Sequence, residues 1–262
     1  GVFENAAANG VGVPAASVQF RAPLPRPINI DCMAVNYMES GTKKEKSPIN
    51  AFLKASNSVI GPNETMVCQD VPATIYEGEA ELGLVMGKRA FQVSEDDAMD
   101  HVFGYVNFID GSARGLPPAG NVFYQMKARE TFSPLGPYIV TKDEIDDPQN
   151  LDVKLWVNGV LKQDFNTDDM AHSIKTCISW VSHVHTMEPG DVLATGTNHR
   201  GLNPFHDGDI VELEIEGLGR LTINVQDDLK RTWERIVRSD RTDKGLEPPH
   251  APQLTGKYAP NN

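Results

Sequence analysis

The stretch from Ile75 to Lys88, IYEGEAELGLVMGK, places three glutamates in an otherwise apolar segment with the alternation of a β-strand. Because side chains alternate between the two faces of a strand, Glu77, Glu79 and Glu81 are predicted to share one face. Carboxylates at this spacing lie about 7 Å apart along the backbone. In a cleft they repel one another unless a cation lies between them. The stretch is therefore either a solvated strand face or part of a divalent-metal site that needs a further oxygen ligand.

The rest of the composition narrows the class of protein. With 40% hydrophobic and 23% charged residues, a chain of 262 residues can bury a sizeable core as one large or two small domains. No apolar run is long enough for a membrane span, and the first residues do not read as a signal peptide, so neither is expected. The net charge of −12 disfavours nucleic acid as a partner.

The cysteines Cys32, Cys68 and Cys177 are odd in number and far apart, with no Cys-x-x-Cys spacing. This pattern argues against a disulfide framework and against a thiolate zinc site. A reducing, cytoplasmic setting is therefore expected.

The remaining periodicity is typical of a β-rich mixed fold with a few helices. Strands are predicted in the runs INIDCMAV, HVFGYVNFID, PYIVTKDEI, LDVKLWVNG, VLATG and IVELEIEGLGRLTINV. Helices are predicted over about 95–102, 168–184 and 227–238, with a short helix or turn at 51–55. No Gly-x-Gly-x-x-Gly or phosphate loop occurs, which disfavours a nucleotide-binding doubly wound sheet.

Asp110 ends an apolar strand and is followed by Gly111 and Ser112. A carboxylate in this position is either a turn former or the missing third metal ligand. The local residues leave both interpretations open.

Seven segments resemble the fumarylacetoacetate hydrolase family in their order and spacing. They are NY at 36–37, EAELGLVMGK at 79–88, GYVNFIDGSAR at 104–114, KARETFSPLGPYIV at 127–140, WVNGVLKQDFNTDDM at 156–170, EPGDVLATGT at 188–197 and GDIVELEIEGLG at 208–219. The resemblance implies an α+β, β-rich catalytic domain over 29–225, a mixed β-sandwich or roll with few helices. Residues 1–28 are then an arm or small leading segment, and 226–262 a helix and extended tail.

Position by position, the resemblance implies that Glu79, Glu81 and Asp110 bind a divalent ion. Magnesium is the expected ion, with manganese or calcium as alternatives. Glu77 is left as an exposed residue or one lying behind the ligands.

The same comparison implies further site residues. Lys127 matches the family's active-site lysine, although the block KARETF carries Glu130 in place of aspartate. Gly196 and Thr197 match the Gly-Thr-Pro turn near the substrate, here with Asn198 in place of proline. Substrate contacts are also implied for Tyr37 and Arg114, in the matching NY and GSAR segments.

One departure concerns the general base. Hydrolytic relatives carry Asn-Tyr-x-x-His-x-x-Glu, whose histidine and glutamate activate water. In NYMESGTK the corresponding positions are Ser40 and Lys43. Glu39 and His199 are therefore the candidate replacements, as catalytic residues beside Lys127.

The resemblance implies a metal-dependent hydrolase that cleaves a carbon–carbon bond in a small acylpyruvate-like dicarbonyl acid, in aromatic-compound catabolism. The altered base leaves two alternatives open. A decarboxylase or keto–enol isomerase of 2-oxo acids needs the stabilised enolate but no attacking water. A protein that binds metal and a carbonyl ligand without turnover is the third possibility. The family also implies a homodimer.

Overall fold

The computed structural model describes residues 5, 8–10, 12–116, 123–246 and 250–260. The arm predicted over 1–28 falls partly outside these residues. None of the described helices has the length and apolar character that a membrane crossing requires.

Strands dominate the described part of the chain. They are β1 (Ile30–Met33), β2 (Ala51–Lys54), β3 (Val59–Ile60), β4 (Thr65–Val67), β5 (Ile75–Met86), β6 (Val102–Arg114), β7 (Ser133–Thr141), β8 (Asp152–Val157), β9 (Val160–Asn166), β10 (Val192–Ala194), β11 (Ile210–Ile215), β12 (Arg220–Gln226), β13 (Thr232–Trp233) and β14 (Gln253–Thr255). The α-helices are α1 (Phe123–Lys127), α2 (Ile174–Val184) and α3 (Arg238–Asp243). Single 3₁₀ turns lie at Ala15–Ser17, Ser56–Ser58, Ala98–His101, Lys142–Glu144, Thr167–Asp169 and His199–Gly201.

The strands of the described residues form two larger sheets and one small one. A seven-stranded sheet has the order β2-β1-β10-β5-β6-β7-β3, and a five-stranded sheet the order β4-β12-β11-β8-β9. Strands β13 and β14 form a separate pair. The predicted β-rich fold with few helices is confirmed. The division of the chain at residues 28 and 225 stays a prediction.

The main hydrophobic core lies between the two larger sheets. It joins Leu82 and Ile109 of the first sheet to Leu155 and Leu213 of the second, and Ile178 of α2 belongs to the same cluster. Truncating such a side chain to alanine costs about 2–5 kcal/mol, because the cavity left behind closes only in part. This core holds the centre of the seven-stranded sheet rigid.

The acidic strand β5 lies at that centre, and all twelve of its residues are buried. It pairs antiparallel with β6 in a register that sets Glu79 opposite Asp110. The predicted alternation is confirmed, since Leu82 and Leu84 belong to the main core while Val85 packs in the second cluster. The interpretation as a solvated strand face is wrong, because carboxylates buried in this way must be paired with cations.

Two predicted segments near the start of the domain need correction. Residues 51–55, predicted as a helix or turn, contain strand β2, which pairs antiparallel with β1. The helix predicted over 95–102 is only the 3₁₀ turn Ala98–His101. Both segments are short, so packing against neighbours outweighs local helix propensity.

The helix predicted over 168–184 begins later than expected. Its N-cap is Ser173, whose hydroxyl accepts a hydrogen bond from the Thr176 backbone N–H at 3.2 Å. Asp168 and Asp169 belong to the preceding 3₁₀ turn. The carboxylate pair was therefore a misleading signal for the helix start.

The helix predicted over 227–238 is wrong. Arg231 is fully buried there, and its Nη2 donates to Asp227 Oδ1 at 2.9 Å and to the Cys68 carbonyl at 3.1 Å. Trp233 donates from Nε1 to the Thr74 carbonyl at 2.6 Å. These tertiary bonds hold the segment extended, and the following helix α3 begins only at Arg238.

Candidate active site

Three carboxylates converge on the face of the β5–β6 pair. Ligand oxygens of Glu79, Glu81 and Asp110, named here the carboxylate cluster, lie within 4.8 Å of one another. Each of these residues is at most 5% exposed. Three hard oxygen donors so close together fit a divalent ion such as magnesium, manganese or calcium. Sequence reasoning proposed these three residues, and the fold brings them together.

Two lysines contact the carboxylate cluster. Lys127 at the end of α1 places Nζ 2.5 Å from Asp110 Oδ2 and 2.8 Å from Glu79 Oε2. Lys54 of β2 is buried as well, donates to the other oxygen of Asp110, and lies 3.2 Å from the Gly111 carbonyl. Lys54 was missed because its short strand was interpreted as a helix or turn. The signal available was a lysine inside the apolar run AFLK.

Two arginines hold the first glutamate of the strand. Arg114 Nε lies 2.7 Å from Glu77 Oε1, and Arg238 contacts the same oxygen. Arg114 also pairs with Glu79. Burial by itself would raise the pKa of Glu77, but Arg238 and Arg114 outweigh it and lower the pKa to about 2. The expectation that Glu77 is exposed is therefore wrong, whereas a position behind the ligands agrees with these contacts.

The charges of the cluster are unequally compensated. Burial raises the pKa of Glu79, but Lys127 and Arg114 outweigh it and hold the pKa well below its usual range. Glu81 has the opposite environment, where burial, Asp110 and Glu79 together raise its pKa well above the usual range. Repulsion between neighbouring carboxylates is the condition that a bound cation relieves. The donor set and its charge therefore both fit a divalent ion.

The loop after β10 supports the acidic strand from its backbone. The Gly196 N–H donates to Glu81 Oε2 at 2.8 Å. Gly196 has a φ of +89°, and a Cβ there would lie 3.0 Å from Asn36 Cβ, so glycine suits the position. The Thr197 hydroxyl donates to the Ala80 carbonyl at 2.7 Å. These bonds fix the loop against the acidic strand β5.

Gln163 of β9 completes this connection. It accepts a hydrogen bond from the Ala80 N–H at 3.0 Å and donates to the Thr197 hydroxyl at 2.9 Å and the Asn198 carbonyl at 2.8 Å. Nothing in the sequence pattern distinguished Gln163 from an ordinary strand residue.

Glu39 and His199, named here the loop pair, lie 160 positions apart and bind each other. His199 Nδ1 is 2.6 Å from Glu39 Oε1, and the His199 backbone N–H donates to Glu39 Oε2 at 2.8 Å. Burial raises the pKa of Glu39, but the bonds from His199 outweigh it, so that the net shift is downward. An ionised carboxylate only accepts, so Nδ1 carries a proton, and in the neutral form of the ring the lone pair is then on Nε2.

Ser40 and Lys43 occupy the positions where hydrolytic relatives have their base. Ser40 is exposed, and its hydroxyl accepts a hydrogen bond from Asn198 Nδ2 at 3.1 Å. Lys43 Nζ is 3.7 Å from Glu39 Oε1. Both residues therefore support the loops that carry the loop pair.

A cavity of about 70 Å³ connects the two groups of residues. Its wall contains Glu79, Arg114, Lys127, Thr197 and His199 among polar residues. On the apolar side Phe52 and Phe123 stack with ring centroids 4.7 Å apart. Five of the site residues proposed from separate motifs thus share one cavity, whereas Glu81, Asp110 and Glu39 are not in its wall.

Two of the proposed substrate contacts do not line this cavity. Tyr37 is fully buried and packs edge-on against Phe165, with ring centroids 5.1 Å apart. Gly196 points its N–H to Glu81. Their roles as substrate contacts stay predictions.

Comparisons with known proteins identify relatives of this chain. The family model described as "Fumarylacetoacetate (FAA) hydrolase C-terminal" matches residues 29–226. Oxaloacetate tautomerase, a mitochondrial protein of Xenopus laevis, is 37% identical over 220 residues, which cover 79% of this chain and 68% of that protein.

Solved structures are similar as well. Maleylpyruvate hydrolase from Sphingobium sp. SYK-6 superposes with a TM-score of 0.78 at 36% identity, covering 86% of this chain and 81% of that one. The same enzyme has been solved with manganese(II) and pyruvate. A 5-carboxymethyl-2-hydroxymuconate delta-isomerase from Mycobacterium smegmatis has a TM-score of 0.75 at 32% identity, covering 84% of this chain and 86% of that one.

Proposed function

Since the chain belongs to the fumarylacetoacetate hydrolase family, we propose that it is a divalent-metal-dependent hydrolase of acylpyruvates. The substrate is a small acid with carbonyls at carbons 2 and 4, and the bond between carbons 3 and 4 is cleaved. The products are pyruvate and the carboxylic acid of the acyl tail.

One observation carries the choice of hydrolysis, namely that His199, which is bound by Glu39, lies in the cavity wall that also contains Glu79 and Lys127. Hydrolysis needs a base that activates water, and the usual histidine position is Ser40. Histidine held by a carboxylate through Nδ1 is an established form of general base, because the carboxylate orients the ring and stabilises its protonated state. The loop pair supplies this function from different positions of the chain.

The proton movements follow from this geometry. His199 Nε2 takes a proton from water, and the resulting hydroxide adds to carbon 4 of the substrate. The bond between carbons 3 and 4 then breaks, and its electron pair remains on the pyruvate enolate. Protonation of carbon 3 completes the reaction, so water is divided between the two products.

The negative charge that develops on the enolate must be stabilised. Lys127 holds its positive Nζ at the edge of the cavity, and Asp110 and Glu79 keep it protonated, since their attraction outweighs burial and raises its pKa. A divalent ion held by Glu79, Glu81 and Asp110 would act as a Lewis acid toward the substrate carbonyl oxygens. Magnesium is the proposed ion, with manganese as the closest alternative.

The proposal is tested by incubating the purified protein with Mg²⁺ or Mn²⁺ and acetylpyruvate. Equal amounts of pyruvate and acetate are expected, and both should fall to background with excess chelator. In water enriched in oxygen-18, the label should enter acetate. Unchanged acetylpyruvate in the presence of either metal would reject the proposed reaction.

A second candidate is keto–enol tautomerisation of a 2-oxo acid. It is favoured by the identity of 37% to the Xenopus laevis oxaloacetate tautomerase. The loop pair and Lys127 could move a proton between carbon 3 and oxygen without any attack by water. Faster enol-to-keto conversion of oxaloacetate, with no cleavage of acetylpyruvate, would favour this candidate over hydrolysis. Carbon dioxide released from oxaloacetate would instead indicate decarboxylation.

Catabolism of aromatic compounds is the proposed setting, because ring cleavage yields dicarbonyl acids of this kind.

A homodimer is the proposed assembly. Sedimentation of the purified protein at several concentrations measures it directly.

A further inference from the structure

Each residue of the carboxylate cluster has one oxygen held by a donor of the protein. The three contacts, with the donor named first, join the Gly196 N–H to Glu81 Oε2, Arg114 Nη2 to Glu79 Oε1 and Lys54 Nζ to Asp110 Oδ1. A carboxylate with one oxygen engaged in this way offers a metal ion its other oxygen more readily than both. The cluster is therefore built from ligands that each present a single oxygen.

Lys54 differs from the other two donors in its position. Gly196 donates from the backbone, and Arg114 lies in the wall of the cavity beside the cluster. The side chain of Lys54 is fully buried and is not in that wall. Its second hydrogen bond goes to the carbonyl of Gly111, the residue after Asp110, at 3.2 Å. Lys54 therefore acts on the site through Asp110.

The surroundings of Lys54 make its contact with Asp110 difficult to replace. In the register of β1 and β2, Lys54 lies opposite Ile30, and Phe52 lies opposite Cys32. Alternation along the strands puts these four side chains on one face. Ile30 and Cys32 belong to the second apolar cluster, and Phe52 packs against it. Because an ammonium group in apolar surroundings is costly unless it is paired, Lys54 is expected to keep its contact when an ion binds.

The other oxygen of Asp110 faces the rest of the carboxylate cluster. Lys127 Nζ lies 2.5 Å from Asp110 Oδ2 and 2.8 Å from Glu79 Oε2, so these two oxygens share one neighbour. Lys127 also lies in the wall of the cavity. Asp110 Oδ2 is thus the oxygen available to an ion, whereas Oδ1 is held by Lys54.

The number of oxygens that the carboxylates offer affects which ion the cluster prefers. Magnesium and manganese favour about six oxygens in an octahedron, so three single-oxygen ligands leave room for water and for substrate oxygens. Calcium takes about six to eight oxygens at longer distances, and carboxylates often supply two each. A cluster whose carboxylates are each restricted to one oxygen therefore disfavours calcium.

We propose that Lys54 is a positioning residue that restricts Asp110 to one ligand oxygen, so that the carboxylate cluster selects magnesium or manganese over calcium. The inference rests on the proposed function, since it requires that the cluster binds a divalent ion. It gives a role to a buried cation that takes no part in the proposed proton movements.

Binding of Mn²⁺ and Ca²⁺ to the metal-free protein tests the role of Lys54 without turnover. Free Mn²⁺ is measured by electron paramagnetic resonance, and Ca²⁺ added in competition gives the second Kd. The parent protein should bind Mn²⁺ at least about tenfold more tightly than Ca²⁺, equivalent to about 1.4 kcal/mol. The ratio of the two Kd values is the informative quantity, because a general change of charge or packing moves both constants together.

Substitution of Lys54 should remove the preference for Mn²⁺. Lys54→Met keeps an unbranched side chain without the charge, and the ratio is expected to approach one because Asp110 can then offer both oxygens. Lys54→Gln keeps a donor but no charge and should give an intermediate ratio. It also serves as the second variant if Lys54→Met melts below the assay temperature. Thermal melting without metal checks that each variant is folded.

Lys127→Met is the matched control. It removes the same charge from the other oxygen of Asp110 and leaves Lys54 in place. Glu79 Oε1 also remains paired with Arg114. Both Kd values should therefore fall, since a repelling cation is lost, while their ratio stays close to that of the parent.

The outcomes separate this inference from the proposed function. Equal Kd values for Mn²⁺ and Ca²⁺ in the parent would overturn the role of Lys54, and so would a ratio that is unchanged in the Lys54 variants or lost equally in Lys127→Met. Acetylpyruvate left intact by a parent whose Mn²⁺ preference depends on Lys54 would reject hydrolysis alone. Cleavage of acetylpyruvate without any preference would reject the role of Lys54 alone. Binding of neither ion would reject both.

Discussion

The site has two halves that are built differently. The carboxylate cluster lies on the two long central strands β5 and β6, whose register sets Glu79 opposite Asp110. The loop pair lies on connecting segments, and Glu39 itself has a φ of 57°. Left-handed backbone costs about 1–2 kcal/mol for such residues, so packing must hold it. Strands thus place the carboxylates proposed to hold a metal, which form the strand half, and loops place the pair proposed to move a proton, which forms the loop half.

This difference has a chemical consequence. By the resemblance, Glu79, Glu81 and Asp110 stand at the positions expected for the carboxylates of the strand half, while the loop half departs from the expected pattern at Ser40 and Lys43. A loop can exchange one base for another without disturbing a core, whereas a ligand on a buried strand cannot be moved. The two halves should therefore be separable by substitution.

The largest loss of activity is expected from a substitution in the strand half. Glu81→Gln keeps an acceptor for the Gly196 N–H and removes one of three carboxylates lying within 4.8 Å. Metal-free stability should be unchanged or higher, while activity falls about 10⁴-fold because charge stabilisation is lost. The parent should gain about 2.7 kcal/mol of stability at a Mn²⁺ concentration of 100 times Kd, and the variant none.

Thermal melting with and without Mn²⁺ measures this difference, with Glu188→Gln, at a partly exposed glutamate that pairs with Arg89, as control. A variant that keeps the stabilisation of the parent would show that the metal ligands are assigned wrongly.

A smaller loss is expected from the loop half. His199→Gln should lower kcat for acetylpyruvate hydrolysis by about 10²-fold or more, which is typical of a lost general base. The Mn²⁺ affinity should stay close to that of the parent, because His199 is not among the proposed ligands. His183→Gln, an exposed histidine on α2, is the control. Equal losses of metal binding and activity would mean that the halves are not separable.

Replacing the buried Glu77, which pairs with two arginines, should change the stability of the protein rather than its activity. Glu77→Gln leaves Arg114 and Arg238 less compensated and should cost about 3–5 kcal/mol, a fall of roughly 10 °C in Tm. Because the folded pKa is about 2 and the ordinary value 4.5, this contribution is present above about pH 4.5 and is lost as pH falls toward 2.

Denaturant unfolding at several pH values measures this cost, and the difference between parent and variant should shrink in acid. Glu214→Gln, at an exposed pair with Arg220, should cost at most about 1 kcal/mol. A cost for Glu77→Gln as small as that would contradict the pairing.

The smallest effect is expected at the position where relatives carry their base. Ser40→His should change the activity of the parent by less than about tenfold, or 1.4 kcal/mol, since the loop pair already provides a base. In the His199→Gln background the same change should restore part of the lost activity. A large gain in the parent would indicate that the loop pair is not its base.

Much of the strand half could be predicted from sequence. Alternation with period two assigned Glu79 and Glu81 to one face, and the resemblance, which is confirmed, added Asp110 and Lys127. Lys54 was missed because four residues of an edge strand carry too little periodicity to be told from a turn. Gln163 was missed because its three hydrogen bonds all depend on tertiary contacts.

The residues of the loop half could be proposed from the sequence, but their contact with each other could not. Glu39 and His199 were separate candidates, and nothing in local propensity brings residues 160 positions apart into contact. The prediction of a helix over 227–238 was wrong for the same reason. The buried Arg231 binds backbone carbonyls, and these tertiary contacts leave no periodicity in the sequence. Predictions from sequence succeed where a regular element carries the information.

The most direct test of the loop pair as the base is a double-mutant cycle on hydrolysis of acetylpyruvate at saturating Mn²⁺. The rate kcat/KM is measured for the parent, Glu39→Gln, His199→Gln and the double variant. Groups that act as a unit lose their effect together, so the double variant should be no slower than the slower single variant. Losses that multiply, or single variants as fast as the parent, would contradict the account.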